Sequence, residues 1–487
     1  MRYNILFGGK AGQGPNIIAQ LLGEALTEHG YYTFCSREYA SVIRGGHNYN
    51  ILTISEKPIN SNDTEMDIIV ALDDKTIEIH KDKLKKQGIL LKDSKDNMYY
   101  LGKLFKILGL EFDLLETHIK KLHNFESNLE SSKQGYNEEK TILKLKKEKG
   151  KAKFISGSNS TAIGSIKSGL DIYYAYPMTP ATPLLFELAP KQAEHKFITL
   201  ELENEISVII ATIGSAITGA KAMCGTSGGG FALMTEGISL AGQAEVPVVI
   251  YLAQRPGPAT GMPTFTAQGD LHFARHAGHG EFAKFIVAPG DAFEAQELIS
   301  QCFYFSQKYK IPSIFISDKH LSESFYSMEN NPVITKSIKS VSLKRFNSYE
   351  HDEHGNVIED SESVIKTFDA RLKKIKDIET ESKKFTAYKT YGKGKNIILG
   401  WGSTKGAILD AIDGKDYKFI QILFLEPFPK EILKELEQAN KVIVVENNST
   451  SQLSELIAEK TGFIVKNKIL KYDGMPFYCN ELKEKLQ

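Results

Sequence analysis

The sequence predicts an α/β protein made of three α/β domains, and three observations point there. Short β-branched and aromatic runs alternate with stretches of helical periodicity along most of the chain. At 487 residues the chain is too long for one core, so two to four domains are expected. Composition also changes along the sequence, with regions of small and apolar residues set apart by others dense in lysine and glutamate.

Residues 1–125 read as the first domain. Tyr3 to Phe7 is a short strand, and a glycine-rich turn follows it. Asn16 to His29 has helical periodicity through Ile17, Leu21, Leu22, Ala25 and Leu26, with Gly30 as its stop. Further strands are expected at Tyr49 to Ile54, Ile68 to Leu72 and Gly88 to Leu91. Residues 126–152 read as a charged linker that ends in Lys146-Lys147-Glu148-Lys149-Gly150-Lys151. Acids interleaved with its lysines argue for a solvated face rather than a nucleic-acid patch.

The second domain, 153–325, turns to small and apolar residues, with strands expected at Ile172 to Ala175, Pro247 to Leu252 and Ile311 to Ile316. Strands alternating with helical stretches imply a parallel, doubly wound sheet. Residues 326–392 are charged again and read as a connecting segment with a helix. The third domain, 393–487, alternates cleanly: strands at Asn396 to Leu399, Lys418 to Leu423, Val442 to Val445 and Gly462 to Val465, with helices near Lys405, Lys430 and Ser454. There is no internal repeat.

Composition excludes several classes. Hydrophobic content of 41% and charged content of 25% are those of an ordinary soluble globular protein. A formal net charge of zero gives no ground for binding nucleic acid or a membrane. The longest uncharged runs, such as Ile206 to Ala220, fall short of the roughly 20 apolar residues of a membrane span. The N-terminus runs straight into a strand without a signal-peptide layout, so a cytoplasmic location is expected. Cys35, Cys224, Cys302 and Cys479 show no CxxC spacing, which leaves no zinc ribbon, no local iron–sulfur motif and no metal site to expect.

Four stretches carry chemistry. Gly8-Gly9-Lys10-Ala11-Gly12-Gln13-Gly14-Pro15 lies between a strand and a helix, where backbone amides can bind an anion. It fits neither GxGxxG nor GxxxxGK[ST], and a tight structural turn explains it equally well. Tyr176-Pro177-Met178-Thr179-Pro180-Ala181-Thr182-Pro183 is a stiff, hydroxyl-bearing loop. Gln254-Arg255-Pro256-Gly257-Pro258-Ala259-Thr260-Gly261-Met262-Pro263-Thr264 has the same character with one cation added. A planar guanidinium grips a carboxylate through two parallel hydrogen bonds, and Arg255 follows an apolar strand, at the end where α/β sheets bind ligands. Glu201, Glu203 and Glu205 alternate before a long small-residue helix, a pattern that one exposed strand edge also explains.

The paired proline and threonine loops resemble the substrate loops of the alpha subunit of 2-oxoacid:ferredoxin oxidoreductases. The N-terminal turn, with Arg37-Glu38 and Arg44-Gly45-Gly46, resembles the gamma subunit of the same enzymes. Thr226-Ser227-Gly228-Gly229-Gly230 looks like the family's TSGPG turn, with Gly229 where proline is usual. Gly278-His279-Gly280 resembles its GHG element, though a buried structural histidine would also account for His279. Gly400-Trp401-Gly402-Ser403, Glu426-Pro427-Phe428-Pro429 and Glu446-Asn447-Asn448 resemble its transketolase-C-like unit. The implied fold is a gamma-type domain, a thiamine-diphosphate-fold pyrimidine-type domain and a transketolase-C-like domain in one polypeptide.

The resemblance also implies roles. Glu205 is the expected catalytic residue, bonding the aminopyrimidine of thiamine diphosphate, with Glu203 as the next candidate. Thr179, Arg255, Thr260 and Thr264 would bind the 2-oxoacid; Gly9, Gly12, Gln13, Gly14 and Arg44 would bind coenzyme A, and Thr226 and Ser227 the cofactor. Neither a GDG stretch nor a set of cysteine ligands is present, and the resemblance implies that thiamine diphosphate with Mg2+ and a [4Fe-4S] cluster are held by a separate beta subunit. The expected activity oxidises a 2-oxoacid to an acyl-CoA and carbon dioxide and reduces ferredoxin, in a dimer of heterodimers. 2-Oxoglutarate is the favoured substrate, with pyruvate or a broad range as the alternative. A non-catalytic coenzyme A-binding or assembly subunit is the alternative of another class, and it has no use for the arginine and threonine loops. A nicotinamide dehydrogenase lacks its fingerprint here.

Overall fold

The computed structural model describes residues 2–40, 45–145, 152–329, 331–336, 338–340 and 344–487. Arg44, expected to bind an anion, lies outside the described residues. The chain divides into two compact units. One comprises Met1–Ile155, Ser324–Asn331 and Phe477–Gln487; the other comprises Ser156–Glu323 and Pro332–Pro476. The middle and C-terminal sheets therefore belong to one unit, and the last eleven residues leave the expected third domain for the first unit.

In the first unit a seven-stranded sheet runs Leu84–Leu91, Met66–Ala71, Arg2–Lys10, His47–Ser55, Tyr32–Tyr39, Phe325–Met328 and Lys153–Ser156. Arg2–Lys10 pairs antiparallel with His47–Ser55 and parallel with Met66–Ala71. Ile5 and Phe7 join one hydrophobic cluster, while Leu6 joins another with Ile51, Met66 and Ile69. Both faces are thus covered, which is why this strand reads as an unbroken apolar run. The helix Pro15–Glu28 presents Ile18, Leu22, Ala25 and Leu26 to the sheet core. It opens with a proline, whose missing N–H costs nothing there. Its end is closed by the His29 N–H on the Ala25 carbonyl, with Gly30 at φ 98° just beyond.

The first part of the expected charged linker is a packed helix, Phe125–Asn137. It crosses the helix Asn97–Ile107 at two glycines. A Cβ on Gly102 would lie 1.9 Å from the Ser132 carbonyl oxygen, and one on Gly135 would lie 2.0 Å from that of Tyr99. Backbones can approach this closely only where both side chains are missing. Tyr99 then donates to Glu138 at 2.6 Å across the same contact. The outward lysines and glutamates make the segment look like a solvated tether, while two small residues carry its packing. Gly135→Ala is expected to cost about 1–3 kcal/mol through overpacking; thermal denaturation of the purified chain checks this against Lys133→Ala on the exposed face, which should leave Tm within a degree or two.

In the second unit one seven-stranded sheet has the order Phe424–Glu426, Phe285–Val287, Pro312–Asp318, Val248–Gln254, Ala222–Thr226, Ile172–Ala175 and Ile198–Glu201. The last six are mutually parallel, and Phe424–Glu426 adds an antiparallel edge. Along Val248–Gln254 side chains alternate between two cores: Val248, Ile250 and Leu252 in one, Val249, Tyr251 and Ala253 in the other. The helices Glu205–Ile217 and Gly228–Gln243 cover the first face through Val208, Ile209, Phe231 and Met234.

The remaining sheet runs Tyr388–Tyr391, Tyr417–Ile422, Asn396–Trp401, Lys441–Glu446 and Asn467–Leu470. The strand expected at Gly462 to Val465 is coil. Gly462, at φ 77°, instead caps the helix Gln452–Thr461, and the edge strand begins only at Asn467. Val465 is buried as an anchor of that coil. A buried polar knot joins the two sheets. Lys405 Nζ reaches Glu294 Oε1 at 2.6 Å and also contacts Asp291, while Gln421 Nε2 donates to Glu294 Oε2 at 2.6 Å. Burial alone would raise the Glu294 pKa, but Lys405 and Lys389 outweigh it and hold the carboxyl below its usual range. No described helix is long and apolar enough to cross a membrane.

Candidate active site

Four neighbouring parallel strands bring the expected residues of this unit to one edge. Val248–Gln254 ends directly before Arg255, and Ala222–Thr226 ends at Thr226 and leads into Ser227. Ile172–Ala175 runs into the Tyr176 to Pro183 loop, and Ile198–Glu201 leads to Glu205, the first residue of its helix. Parallel strands share the direction of their C-terminal ends, so these four segments emerge together, where open α/β sheets take ligands.

They converge on the start of the helix Gly228–Gln243. A Cβ on Gly230 would lie 2.5 Å from Glu205 Oε1 and 2.2 Å from Thr226 Oγ1; one on Gly228 would lie 2.6 Å from Asp270 Oδ2. The Ala259 carbonyl stands 3.7 Å from the corresponding position on Gly229. Two missing side chains, at Gly228 and Gly230, therefore let two carboxylates and a hydroxyl reach the positive end of a 16-residue helix, while Gly229 has room for one. Ser227 occupies the N-cap position without capping through its side chain.

Several polar atoms on these segments and on the loops that follow them lack partners. Glu205 Oε1, Ser227 Oγ, Arg255 Nε, Thr264 Oγ1 and Asp270 Oδ2 are all buried without a hydrogen bond. Buried polar groups are nearly always satisfied, so this concentration marks a place where a ligand supplies the missing half. Arg255 Nη1 donates to the Thr179 carbonyl at 2.6 Å, which ties the two proline loops together and leaves Nε free for another acceptor. Burial lowers the Arg255 pKa, against the pull of Asp270 and Glu205. Burial pushes the Asp270 carboxyl up to about 6, and Arg255 restrains the rise.

The structure separates the other expected residues from this cluster. Thr260 is exposed on its loop, while Thr264 is buried. Glu203 is exposed and accepts from the Ser207 hydroxyl, which leaves Glu205, only 3% exposed, as the acid directed inward. His279 is exposed, not a buried structural histidine; with Ile206, Leu233, Ser239 and Phe282 it lines a cavity of 470 Å³. All four cysteines are buried thiols.

The glycine-rich turn stands in the other unit. Gln13 closes it from inside: its Oε1 accepts from the Lys10 N–H at 2.7 Å and its Nε2 donates to the Leu72 carbonyl at 2.9 Å. Gly9 and Gly14 have no room for a side chain, with a Cβ at 2.9 Å from Gln13 Oε1 and 2.2 Å from Asn97 Nδ2 respectively. Gly12, at φ 91°, faces open space. Three of the four described residues expected to bind there thus shape the turn, and Gly12 is the one left open.

Sequence reasoning missed Asp270, read there only as the lack of a GDG stretch. It also missed Gln254 and Gln268. Gln254 Oε1 accepts from the Asp270 N–H at 2.9 Å. Gln268 Nε2 donates to the Trp401 carbonyl at 2.8 Å, while its Oε1 accepts from the Asn447 N–H at 2.9 Å. The two glutamines bracket the Arg255 loop, and the polar pair within an otherwise glycine, proline and threonine stretch was their only signal.

Comparison with known proteins agrees with this geometry. Residues 163–389 match the family described as pyruvate flavodoxin/ferredoxin oxidoreductase, thiamine diphosphate-binding, and residues 4–97 match pyruvate ferredoxin/flavodoxin oxidoreductase. The chain is 30% identical over 611 aligned residues to a 2-oxoacid:ferredoxin oxidoreductase subunit alpha of Sulfolobus, covering all of this chain and 96% of that one. It is 29% identical over 333 residues to the 2-oxoglutarate synthase subunit KorA of Methanocaldococcus jannaschii, covering 61% and 89%. A solved structure of a 2-oxoglutarate:ferredoxin oxidoreductase from Magnetococcus marinus, with 2-oxoglutarate, coenzyme A and succinyl-CoA bound, superposes with a TM-score of 0.89 at 21% identity, covering 100% and 99%. That likeness establishes the shared fold.

The fold and the matched family models define an oxidoreductase subunit of α/β class with a thiamine diphosphate-binding domain. The chain belongs to the 2-oxoacid:ferredoxin oxidoreductase family, as an alpha subunit.

Gly230→Ala should therefore disable the site while sparing the helix. Alanine is the better helix former, but its Cβ collides with Glu205 and Thr226. A loss of about 10²-fold or more in kcat/KM of the assembled enzyme is expected, together with a Tm lowered by overpacking worth about 1–3 kcal/mol, as kinetics and thermal melts on the same preparation would show.

Proposed function

We propose that this chain acts with a separate beta subunit to oxidise a 2-oxoacid, 2-oxoglutarate by preference, to an acyl-CoA and carbon dioxide while reducing ferredoxin. One observation carries the reading: Arg255 Nε, an unmet donor, and Glu205 Oε1, an unmet acceptor, are both buried atoms, and the two side chains lie within electrostatic reach of each other. A small carboxylate needs the first and a ring nitrogen the second.

The residues fit the pyrimidine side of thiamine diphosphate. Glu205 Oε1 is buried and unpartnered, and Gly230 leaves space beside it. When bound, thiamine diphosphate supplies the nucleophilic carbon and the electron sink for decarboxylation. Glu205 would hold a proton at the ring nitrogen, from a position that burial keeps dry. Thr226 and Ser227 would line the same side. Arg255 Nε and the Thr264 hydroxyl would fix the 2-oxoacid, and the Thr179 carbonyl orients the guanidinium. Thr260, exposed, would contribute at most at the mouth of the loop.

The beta subunit would hold the diphosphate with Mg2+ and a [4Fe-4S] cluster, since this chain lacks the GDG stretch and CxxC spacing for either. Gly12 and the amides around it, at a helix start without an acidic residue, would take the phosphates of coenzyme A. A cytoplasmic dimer of heterodimers completes the proposal. A non-catalytic assembly subunit has no use for five partnerless polar atoms on one sheet edge.

Arg255→Ala in the assembled enzyme should lower kcat/KM for 2-oxoglutarate by about 10²-fold, mostly through KM, as expected for losing about 3 kcal/mol of charge-assisted hydrogen bonding. Steady-state kinetics with a viologen acceptor tests it, and an unchanged KM would remove Arg255 from substrate binding.

A further inference from the structure

We propose that Asp270 is the counter-charge of Arg255 in the free site and gives up that charge, by taking a proton, when a 2-oxoacid carboxylate binds. This rests on the reading that Arg255 receives that carboxylate. The placement of Asp270 argues for it. Its N–H is fastened to Gln254 Oε1 at 2.9 Å, and Gln254 Nε2 in turn donates to the Ser317 carbonyl at 3.2 Å. Asp270 is thereby fixed to the end of the strand that carries Arg255.

Its side chain has no structural employment. Asp270 precedes the short helix Leu271–His276 but makes no capping bond through its carboxylate. Oδ2 instead stands over Gly228, buried and without a partner, as Arg255 Nε is. Asp270 Oδ2 thus stands at the helix start with an unmet hydrogen bond, and Arg255, whose Nε is unmet as well, is near enough to act on its charge.

The surrounding charges make the count simple. Glu205 faces Arg255 from the neighbouring helix, and the first turn of Gly228–Gln243 carries no acid. On the helix after Asp270, His272 pairs with Glu455 and Arg275 with Glu459, at 2.8 and 2.6 Å; His276, on the same helix, is exposed. One guanidinium therefore sits among two acids before any substrate arrives. A third carboxylate brought into this buried space leaves an excess of negative charge, and the acid that burial already pushes up to about 6 is the one to neutralise. The sign follows. Asp270 is ionised above about pH 6 in the free site, binding favours its protonated form, and affinity falls as pH rises above that value. When the carboxylate leaves as carbon dioxide, Asp270 can ionise again and restore the charge beside Arg255.

The test uses the assembled enzyme, with kcat and KM for 2-oxoglutarate measured from pH 6 to pH 8. In the wild type KM should rise about fivefold or more across this range, within the limit of tenfold per pH unit. Asp270→Asn should flatten the profile, with KM at or below the wild-type value at pH 6, and Asp270→Glu should restore the slope. A purely structural residue would lower Tm and leave the slope in place, so melting curves accompany the kinetics. An Asp270→Asn enzyme that keeps the wild-type slope, or whose KM rises at every pH, overturns the proposal provided Arg255→Ala still raises KM. If Arg255→Ala leaves KM unchanged, the underlying reading of Arg255 fails and the proposal falls with it.

Discussion

Two glycines at the start of one helix, Gly228 and Gly230, are the constraint on which the site depends. A side chain at Gly228 or Gly230 would occupy the space taken by Asp270, Thr226 or Glu205. Removing these side chains costs helix propensity, about 1 kcal/mol each at interior positions and less in a first turn. In return the helix dipole, its amides, two carboxylates and a hydroxyl share one small volume. A set of unpaired buried groups of this kind would destabilise a protein that never filled it.

The scaffold around that volume is stiff where the chemistry needs it. Six parallel strands fix where Arg255, Thr226, Thr179 and Glu205 emerge. The Arg255 loop has no regular structure over most of its length, yet its far end is clamped. Gln268 exchanges hydrogen bonds with Asn447 and reaches the Trp401 carbonyl, and Thr266 reaches Asp318 and the Gly474 carbonyl. The C-terminal sheet thus serves as the back wall of the Arg255 loop, and the Lys405 to Glu294 knot holds that wall to the central sheet. Glu446 does similar work within the wall, accepting from Trp401, Asn448 and the Leu453 N–H.

Much of this was legible in the sequence. The strand before Arg255 announces itself as an uninterrupted apolar run, and the C-terminal ends of such parallel strands are the side on which open α/β sheets bind ligands. Proline fixes backbone φ, so the two proline loops could be read as rigid without a structure. Glu205 could be preferred to Glu203 only by family likeness; burial supplies the physical reason. What stayed hidden was carried by single atoms at long range. Gly102 and Gly135 meet across more than thirty residues, so a charged stretch read as a tether is a packed helix. Asp270 looks like any loop acid until its unpaired oxygen is seen over Gly228. The strand at Asn467–Leu470 was misplaced by a few residues because Gly462 ends a helix there, and periodicity cannot tell a cap from a strand start.

The central claim is that this chain supplies the substrate-gripping half of a 2-oxoacid:ferredoxin oxidoreductase. The most direct measurement is anaerobic co-purification with the product of its genetic neighbour, followed by viologen reduction with 2-oxoglutarate or pyruvate, each with and without coenzyme A. Coenzyme A-dependent reduction, faster with 2-oxoglutarate, is the predicted result. A stable complex, loaded with thiamine diphosphate and its cluster, that reduces nothing with any 2-oxoacid would contradict the account and leave an assembly subunit in its place.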